Sequence, residues 1–153
     1  MLFNGSGSIL AVADSLYQIN LLSVKNSLQM IGKLQGHSDV ISTCVFTSEE
    51  RRQMISVAMD RTLRIWDLKS KKPVKSPSIA SVALALDVSN SDSCFATGHK
   101  SGDIKVWSLT EQKEIGKIAH AHAGQIACLK YTPDGSMIVS ASRTNGVIVH
   151  DAR

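Results

Sequence analysis

The stretch "DRTLRIWDL", Asp60 to Leu68, decides the fold. A polar opening runs into β-branched and aromatic residues, so the segment reads as a β-strand behind a turn. It carries one tryptophan, an aspartate on each side of the run and two arginines. Such a set could do chemistry or hold a structure up, and its surroundings decide which.

The surroundings repeat. Trp66 in "LRIWDL" and Trp107 in "IKVWSL" stand 41 residues apart, Leu22 in "INLLSV" stands 44 before Trp66, and His150 in "VIVHDA" stands 43 after Trp107. Each follows alternating apolar residues, as a half-buried strand requires. A second column keeps the register: Phe3, Phe46, Val88 and Tyr131 precede those four residues by 19, 20, 19 and 19. Each is followed by a polar turn, "NGSGS", "TSEERRQ", "SNSDS" or "TPDGS", and then by a small-residue strand, "ILAVA", "MISVA", "CFATG" or "MIVSA". The turn residues are of the types that accept tight backbone geometry. A fourth strand is expected in "SLQMIGKL", "KPVKSPS" and "KEIGKIA". Four short strands per period of about 40 to 45 residues predict β-propeller blades. The expected fold is therefore all-β, about four four-stranded antiparallel blades at roughly 1–35, 36–79, 80–119 and 120–153, the last incomplete. No amphipathic helix and no linker stand out, and the lysine-rich "KSKKPVK" falls where a loop between strands is expected.

Composition agrees. The chain has 153 residues, enough for one domain with a sizeable core. Hydrophobic residues make up 43% and charged residues 20%, a globular balance. No run reaches the roughly 18 to 20 apolar residues that span a bilayer, and "MLFNGSGSIL" lacks the basic start and apolar core of a signal peptide. Cys44, Cys94 and Cys128 form no CxxC pair, which points to reduced thiols in a cytosolic or nuclear compartment. The net charge of +4 mildly favours acidic partners without forming a basic stripe.

The second unit opens on Gly36-His37 and reads "MDRTLRIWD" from Met59 to Asp67, with 29 residues from His37 to Trp66. It resembles a WD40 repeat, and four such units cover the chain. The resemblance implies a structural tetrad of His37, Ser56, Asp60 and Trp66. Asp60 would accept from His37 and nearby backbone N–H groups, His37 would meet Ser56, and Ser56 would meet the indole N–H. An unpaired buried polar group costs roughly 1–3 kcal/mol, so a closed chain of this kind stabilises a blade. The other units depart from it. The third keeps Thr97 and Trp107, with Ser101 in the aspartate place and no clear histidine. The fourth keeps His122 and Ser140, with Thr144 for aspartate and His150 for tryptophan. The first has Leu22 for tryptophan.

A narrower resemblance is to the WD40 domain of autophagy-related 16-like proteins. It rests on the second Gly-His pair, Gly98-His99, and on Ser140 to Arg143 followed by a strand ending in "DAR" without tryptophan. It implies a non-enzymatic scaffold that supports autophagosome formation, helping to direct lipid conjugation of a ubiquitin-like protein, cytoplasmic and recruited to autophagic membranes. The alternative in the same class is a general WD40 adaptor, such as a ubiquitin ligase substrate receptor or a signalling scaffold. WD40 propellers usually have seven blades, roughly 290 residues at this period. The expectation is therefore a partial propeller that belongs to a longer one, self-associates or is completed by another polypeptide, rather than a closed ring of four.

The candidate sites follow. Partners of WD40 propellers usually dock on the face bearing the tight turns, so by resemblance Asp39, Met59, Arg61, Lys100 and Arg143 are the candidates for contact, against a reading of each as an ordinary surface residue. The Ser, His and Asp of the tetrad suggest a hydrolase, but no G-x-S-x-G elbow accompanies them. "AHAHAG" places His120 and His122 two apart, with no further ligand spaced to complete a metal site. "NGSGS" aligns with the hairpin turn "TPDGS" and lacks the helix and lysine of a phosphate cradle. Lys69, Lys71, Lys72 and Lys75 could attract anionic headgroups or an acidic peptide; without interleaved aromatics they do not favour single-stranded nucleic acid. No cofactor is expected. Partners are expected to be proteins or peptides, with peripheral membrane association open.

Overall fold

A computed structural model describes residues 1–48 and 50–152. Glu49 in the turn "TSEERRQ" and Arg153 in "DAR" lie outside the described residues. Among the described residues there is no helix, and the strands form four antiparallel sheets. The chain divides into two compact units, Met1–Ser78 and Ile79–Arg153.

The first unit holds two four-stranded meanders. One comprises β1 (Leu2–Phe3), β2 (Ile9–Ala13), β3 (Ile19–Ser23) and β4 (Gln29–Leu34); the other comprises β5 (Ile41–Phe46), β6 (Gln53–Ala58), β7 (Leu63–Asp67) and β8 (Lys72–Lys75). Its core joins Ile19, Leu21 and Leu34 of the first sheet to Phe46, Met54 and Trp66 of the second. The second unit holds β9 (Ala83–Val88), β10 (Cys94–His99), β11 (Ile104–Ser108) and β12 (Lys113–Ile118), then the three-stranded sheet of β13 (Ile126–Tyr131), β14 (Met137–Ser142) and β15 (Gly146–Asp151). Ala85, Ala96 and Ile104 pack there against Ile126, Leu129 and Ile138.

Both sequence columns have structural meaning. Phe3, Phe46, Val88 and Tyr131 are the last residues of the first strand of each sheet. Leu22, Trp66, Trp107 and His150 are the penultimate residues of each third strand. In three sheets the ladder to the fourth strand slips a residue at this column: between Leu21 and Leu22, Ile65 and Trp66, and Val106 and Trp107. A bulge of this kind bends the strand and re-aims a side chain.

The turns also repeat. Left-handed residues follow the first strand at Gly7, Arg52, Asp92 and Gly135, and the second strand at Tyr17, Arg61, Gly102 and Gly146. Glycine suits such a position because it has no Cβ to clash; where another residue stands, the hydrogen bonds of the turn hold it there. The "KSKKPVK" run is not wholly a loop. Its second half is β8, exposed along its length, with lysines and Pro73 on an outer strand that discourages further pairing. Lys71 is not merely solvated either. Its ammonium donates to the carbonyl of Ile31, and its methylenes lie over Gly32, where a Cβ would stand 2.5 Å from them.

Candidate functional site

The most complete polar cluster is in the second sheet. Asp60 opens the turn between β6 and β7, His37 precedes β5, Ser56 sits mid-β6, and Trp66 sits near the end of β7. The geometry fixes the direction of every bond. Asp60 Oδ1 accepts the Thr62 N–H at 2.8 Å and the Thr62 hydroxyl at 2.7 Å, while Oδ2 accepts the Ser38 N–H at 3.0 Å. Burial pushes the Asp60 carboxyl up, but these donors together with His37 outweigh it and hold it at about 2. An ionised carboxylate only accepts, so His37 carries its proton on Nδ1 and donates to Asp60 Oδ2 at 2.9 Å. Burial lowers the His37 pKa further than Asp60 raises it, so the ring is neutral. His37 Nε2 then accepts the Ser56 hydroxyl at 2.8 Å, and Ser56 Oγ accepts Trp66 Nε1–H at 2.8 Å.

Ser56 and Trp66 are fully buried. The serine hydroxyl is committed on both sides, so this Ser-His-Asp set offers no nucleophile to a substrate. The sequence reading missed the Thr62 hydroxyl and one further member of the assembly. Arg64, two residues before Trp66 and therefore on the same side of β7, lies over the indole with its guanidinium 5.7 Å from the ring centroid. Lys105 stands the same way, 5.7 Å from the Trp107 centroid. Gly36 holds a φ of 151°, a conformation that strains a residue with a side chain, and the Arg64 guanidinium crosses it, 2.5 Å from where a Cβ would lie.

The third sheet carries a different relay. Trp107 Nε1–H donates to Thr97 Oγ1 at 2.9 Å, and Thr97 Oγ1 meets Nε2 of His99 at 2.9 Å. His99 Nδ1 lies 2.8 Å from the Ser81 carbonyl, which accepts its proton. The histidine read as absent from this unit is therefore His99, fully buried at the end of β10. His99 is two residues from Thr97 on β10, so its ring lies on the same side of the strand, beside the slip of the β9 ladder between Gly98 and His99. At Gly98 a Cβ would stand 2.6 Å from Ile126 Cγ2, so the glycine also admits the neighbouring strand. Ser101, read in the aspartate place, donates its hydroxyl to Asp103 Oδ2 at 3.0 Å. The His120 N–H, with Lys117 and Ser101, holds the Asp103 carboxyl at about 2 against burial.

In the fourth sheet Ser140 stands between two histidines, 2.8 Å from His122 Nε2 and 3.0 Å from His150 Nε2. Thr144 does not do the work of Asp60. The neighbouring Asn145 does part of it, its Oδ1 accepting the Ala123 N–H at 3.0 Å. Nothing among the described residues meets the buried His122 Nδ1. His120 and His122 do not share a face: His120 is exposed and His122 is buried. Among the described residues no three metal-ligating side chains come together. Asn4 organises "NGSGS" as a hairpin turn, accepting the Ile9 N–H at 2.8 Å.

Of the residues singled out for docking, three lie close in the first unit. Asp39 accepts the Val40 N–H at 2.7 Å, and the Met59 N–H donates to the Val40 carbonyl at 2.8 Å. Arg61 follows Asp60 in the same turn, exposed, at a φ of 59°. Lys100 and Arg143 are exposed in the turns that follow β10 and β14 of the second unit. Val40, 52% exposed, lies between Asp39 and the Met59 turn and was not singled out from the sequence.

Comparison with known proteins fits this architecture. The profile of the family described as "WD domain, G-beta repeat" matches residues 28–67 and 113–151. An autophagy-related protein 16 from Arabidopsis thaliana is 25% identical over 120 residues, 78% of this chain and 23% of its own length. The human GATOR2 complex protein WDR59 is 29% identical over 135 residues, 85% of this chain and 14% of its own. A guanine nucleotide-binding protein subunit beta from Oryza sativa subsp. japonica is 24% identical over 128 residues, 78% of this chain and 33% of its own. The chain thus spans a third or less of the relatives it matches.

Proposed function

The chain belongs to the WD40 repeat family, and from that premise we propose that it is a non-enzymatic scaffold that binds proteins or peptides through its tight-turn residues. The observation that carries this reading is the closure of the Asp60–His37–Ser56–Trp66 relay. Its polar atoms are spent on one another, so the tetrad acts as a structural brace, and what the turn presents outward is Arg61, Met59 and Val40. Lys100 and Arg143 are the corresponding candidates in the second unit.

The more specific reading is an autophagy-related 16-like role: support of autophagosome formation by directing lipid conjugation of a ubiquitin-like protein, in the cytoplasm at autophagic membranes. The Arabidopsis relative supports it. So does the Gly98-His99 pair, which builds the unusual relay of the third sheet. The membrane association in this reading is peripheral; no helix among the described residues is long and apolar enough to cross a membrane. The test is disruption of the gene in its source cells, with the lipidated and free forms of the ubiquitin-like protein separated by gel mobility. Loss of the lipidated form, restored by the parent chain but not by Met59→Ala/Arg61→Glu, is the expected result. Unchanged lipidation overturns the autophagy role.

A second reading is an adaptor subunit of another complex, favoured by the similarity to a GATOR2 complex protein at 29% identity. Normal lipidation together with stoichiometric co-purification of a stable complex would establish it instead.

A further inference from the structure

The first unit has a concave surface at the end of its sheets opposite the Asp60 turn. A half-open cleft of about 300 Å³ lies between the hairpin turns that follow β1 and β5. Its apolar floor is Phe46, Ile9 and Leu68, and its rim carries Arg52 and Lys69. The remaining walls are satisfied locally. Thr47 Oγ1 accepts the Gln53 N–H at 3.0 Å and donates to the Gln53 carbonyl at 3.0 Å, while Asn4 is engaged by Ile9, Ser6 and Ser8. Among the described residues no acidic side chain lines the cleft, and neither Arg52 nor Lys69 is in an ion pair. Asp67, whose carboxyl is held below its usual value first by the Ser70 N–H and hydroxyl and then by Lys69, stands outside the cleft.

We propose that this cleft binds a linear peptide segment of a partner protein in which a bulky apolar side chain stands beside a carboxylate. The volume is at the small end for ligand pockets, which run from about 300 to 1,000 Å³, and suits one or two side chains rather than a folded domain. Apolar floor and cationic rim set the chemistry together. The floor takes the apolar side chain out of water, and the guanidinium of Arg52 presents paired N–H donors to the carboxylate, with Lys69 adding a second positive charge. Lys69 is thereby the member of "KSKKPVK" that acts on a ligand, whereas Lys71 braces the first sheet.

The backbone supplies a clean test. Arg52 has a φ of 52°, and the corresponding turns of the first and fourth sheets have Gly7 and Gly135 in the same left-handed conformation. Arg52→Gly therefore removes the charge and leaves the turn in a conformation that glycine prefers. Lys69 is exposed, and Lys69→Gln removes the second charge without disturbing packing.

The full chain is presented to a synthetic array of hexapeptides, each placing one Phe, Leu or Trp beside one Asp or Glu. Matched peptides carry Asn or Gln for the acid, or Ala for the apolar residue. The strongest binders are then measured by fluorescence anisotropy. The expected result is binding that falls at least tenfold with either peptide substitution and at least tenfold in Arg52→Gly/Lys69→Gln, with the melting temperature of the variant unchanged. Arg61→Glu, at the other end of the sheets, leaves this binding intact, so failure here is distinguishable from failure of the tight-turn surface. Absence of any acid-dependent binder, or binding undiminished in the double variant, overturns the proposal.

Discussion

The indole N–H of Trp66 and the hydroxyl of Ser56 meet at 2.8 Å in a place where neither has access to water. The same contact recurs between Trp107 and Thr97 at 2.9 Å. Each hydroxyl receives the indole proton on one side and gives its own proton to an imidazole on the other. Removing it strands a donor and an acceptor at once.

Ser56→Ala is accordingly expected to cost about 2–6 kcal/mol, because a stranded buried polar group costs about 1–3 kcal/mol and two are created. Trp66→Phe in the same background removes one stranded group, so the double variant should lose less than the sum of the two single changes. Trp66→Ala opens the first unit's core and is expected to cost about 3–5 kcal/mol, enough to unfold a marginal domain. Urea denaturation of the parent and the four variants measures all of this. A folded Trp66→Ala chain that had lost only partner binding would contradict the structural assignment of this residue.

Stability should fall in two stages as pH drops. Burial holds His37 and His99 below the ordinary histidine value of 6.5, so the unfolded chain takes up protons first. Their contribution is complete above pH 6.5 and declines as pH falls below it. Asp60, held at about 2 against 3.8 when unfolded, contributes fully above about pH 4 and is lost between there and pH 2. Solvent screening at a partly open turn limits the Asp60 contribution to on the order of 1–2 kcal/mol. Urea midpoints from pH 8 to 3 should show both limbs, and Asp60→Asn should shrink the lower one, leaving the part that Asp103 carries. A flat profile from pH 7 to 5 would contradict the neutral buried imidazoles.

The repeat was legible because strand periodicity and turn chemistry are local. The columns at Phe3, Phe46, Val88 and Tyr131 and at Leu22, Trp66, Trp107 and His150 mark strand ends in every sheet. The blade relay was legible only in the second unit, where each residue stands at the family's own position. His99 escaped because its partner Thr97 is two residues away on the same strand rather than across a loop. Asn145 escaped because strand alignment favours Thr144, while the bond to Ala123 depends on the side chain's reach. Arg64 over Trp66 was legible in principle, since residues two apart share a face, but only packing shows that the guanidinium lies on the ring.

The third-sheet relay makes a prediction that separates His99 from Ser101. His99→Ala leaves the Thr97 hydroxyl and the Ser81 carbonyl without their partner and opens a cavity, for an expected loss of about 2–4 kcal/mol. Ser101→Ala, at an exposed turn residue, should stay within about 0.5 kcal/mol of the parent. Thermal denaturation of both variants decides the matter. A large loss in Ser101→Ala with little in His99→Ala would restore the aspartate-like assignment of Ser101.

Arg61 separates folding from docking. Its φ of 59° is a conformation that costs a side-chain-bearing residue about 1–2 kcal/mol, and the equivalent turns of the third and fourth sheets carry Gly102 and Gly146. Glycine relieves that cost but loses more freedom on folding, by about 0.5–1 kcal/mol, so Arg61→Gly should hold or slightly raise stability. If the tight turn is the docking surface, the same change should reduce the proteins that co-purify with the chain from its source cells. The two readouts are the melting temperature and quantitative mass spectrometry of the co-purified material. Unchanged melting with diminished co-purification assigns Arg61 to recognition. Unchanged melting with an unchanged set of co-purified proteins removes it from the docking surface and leaves Met59 and Val40 to carry the contact.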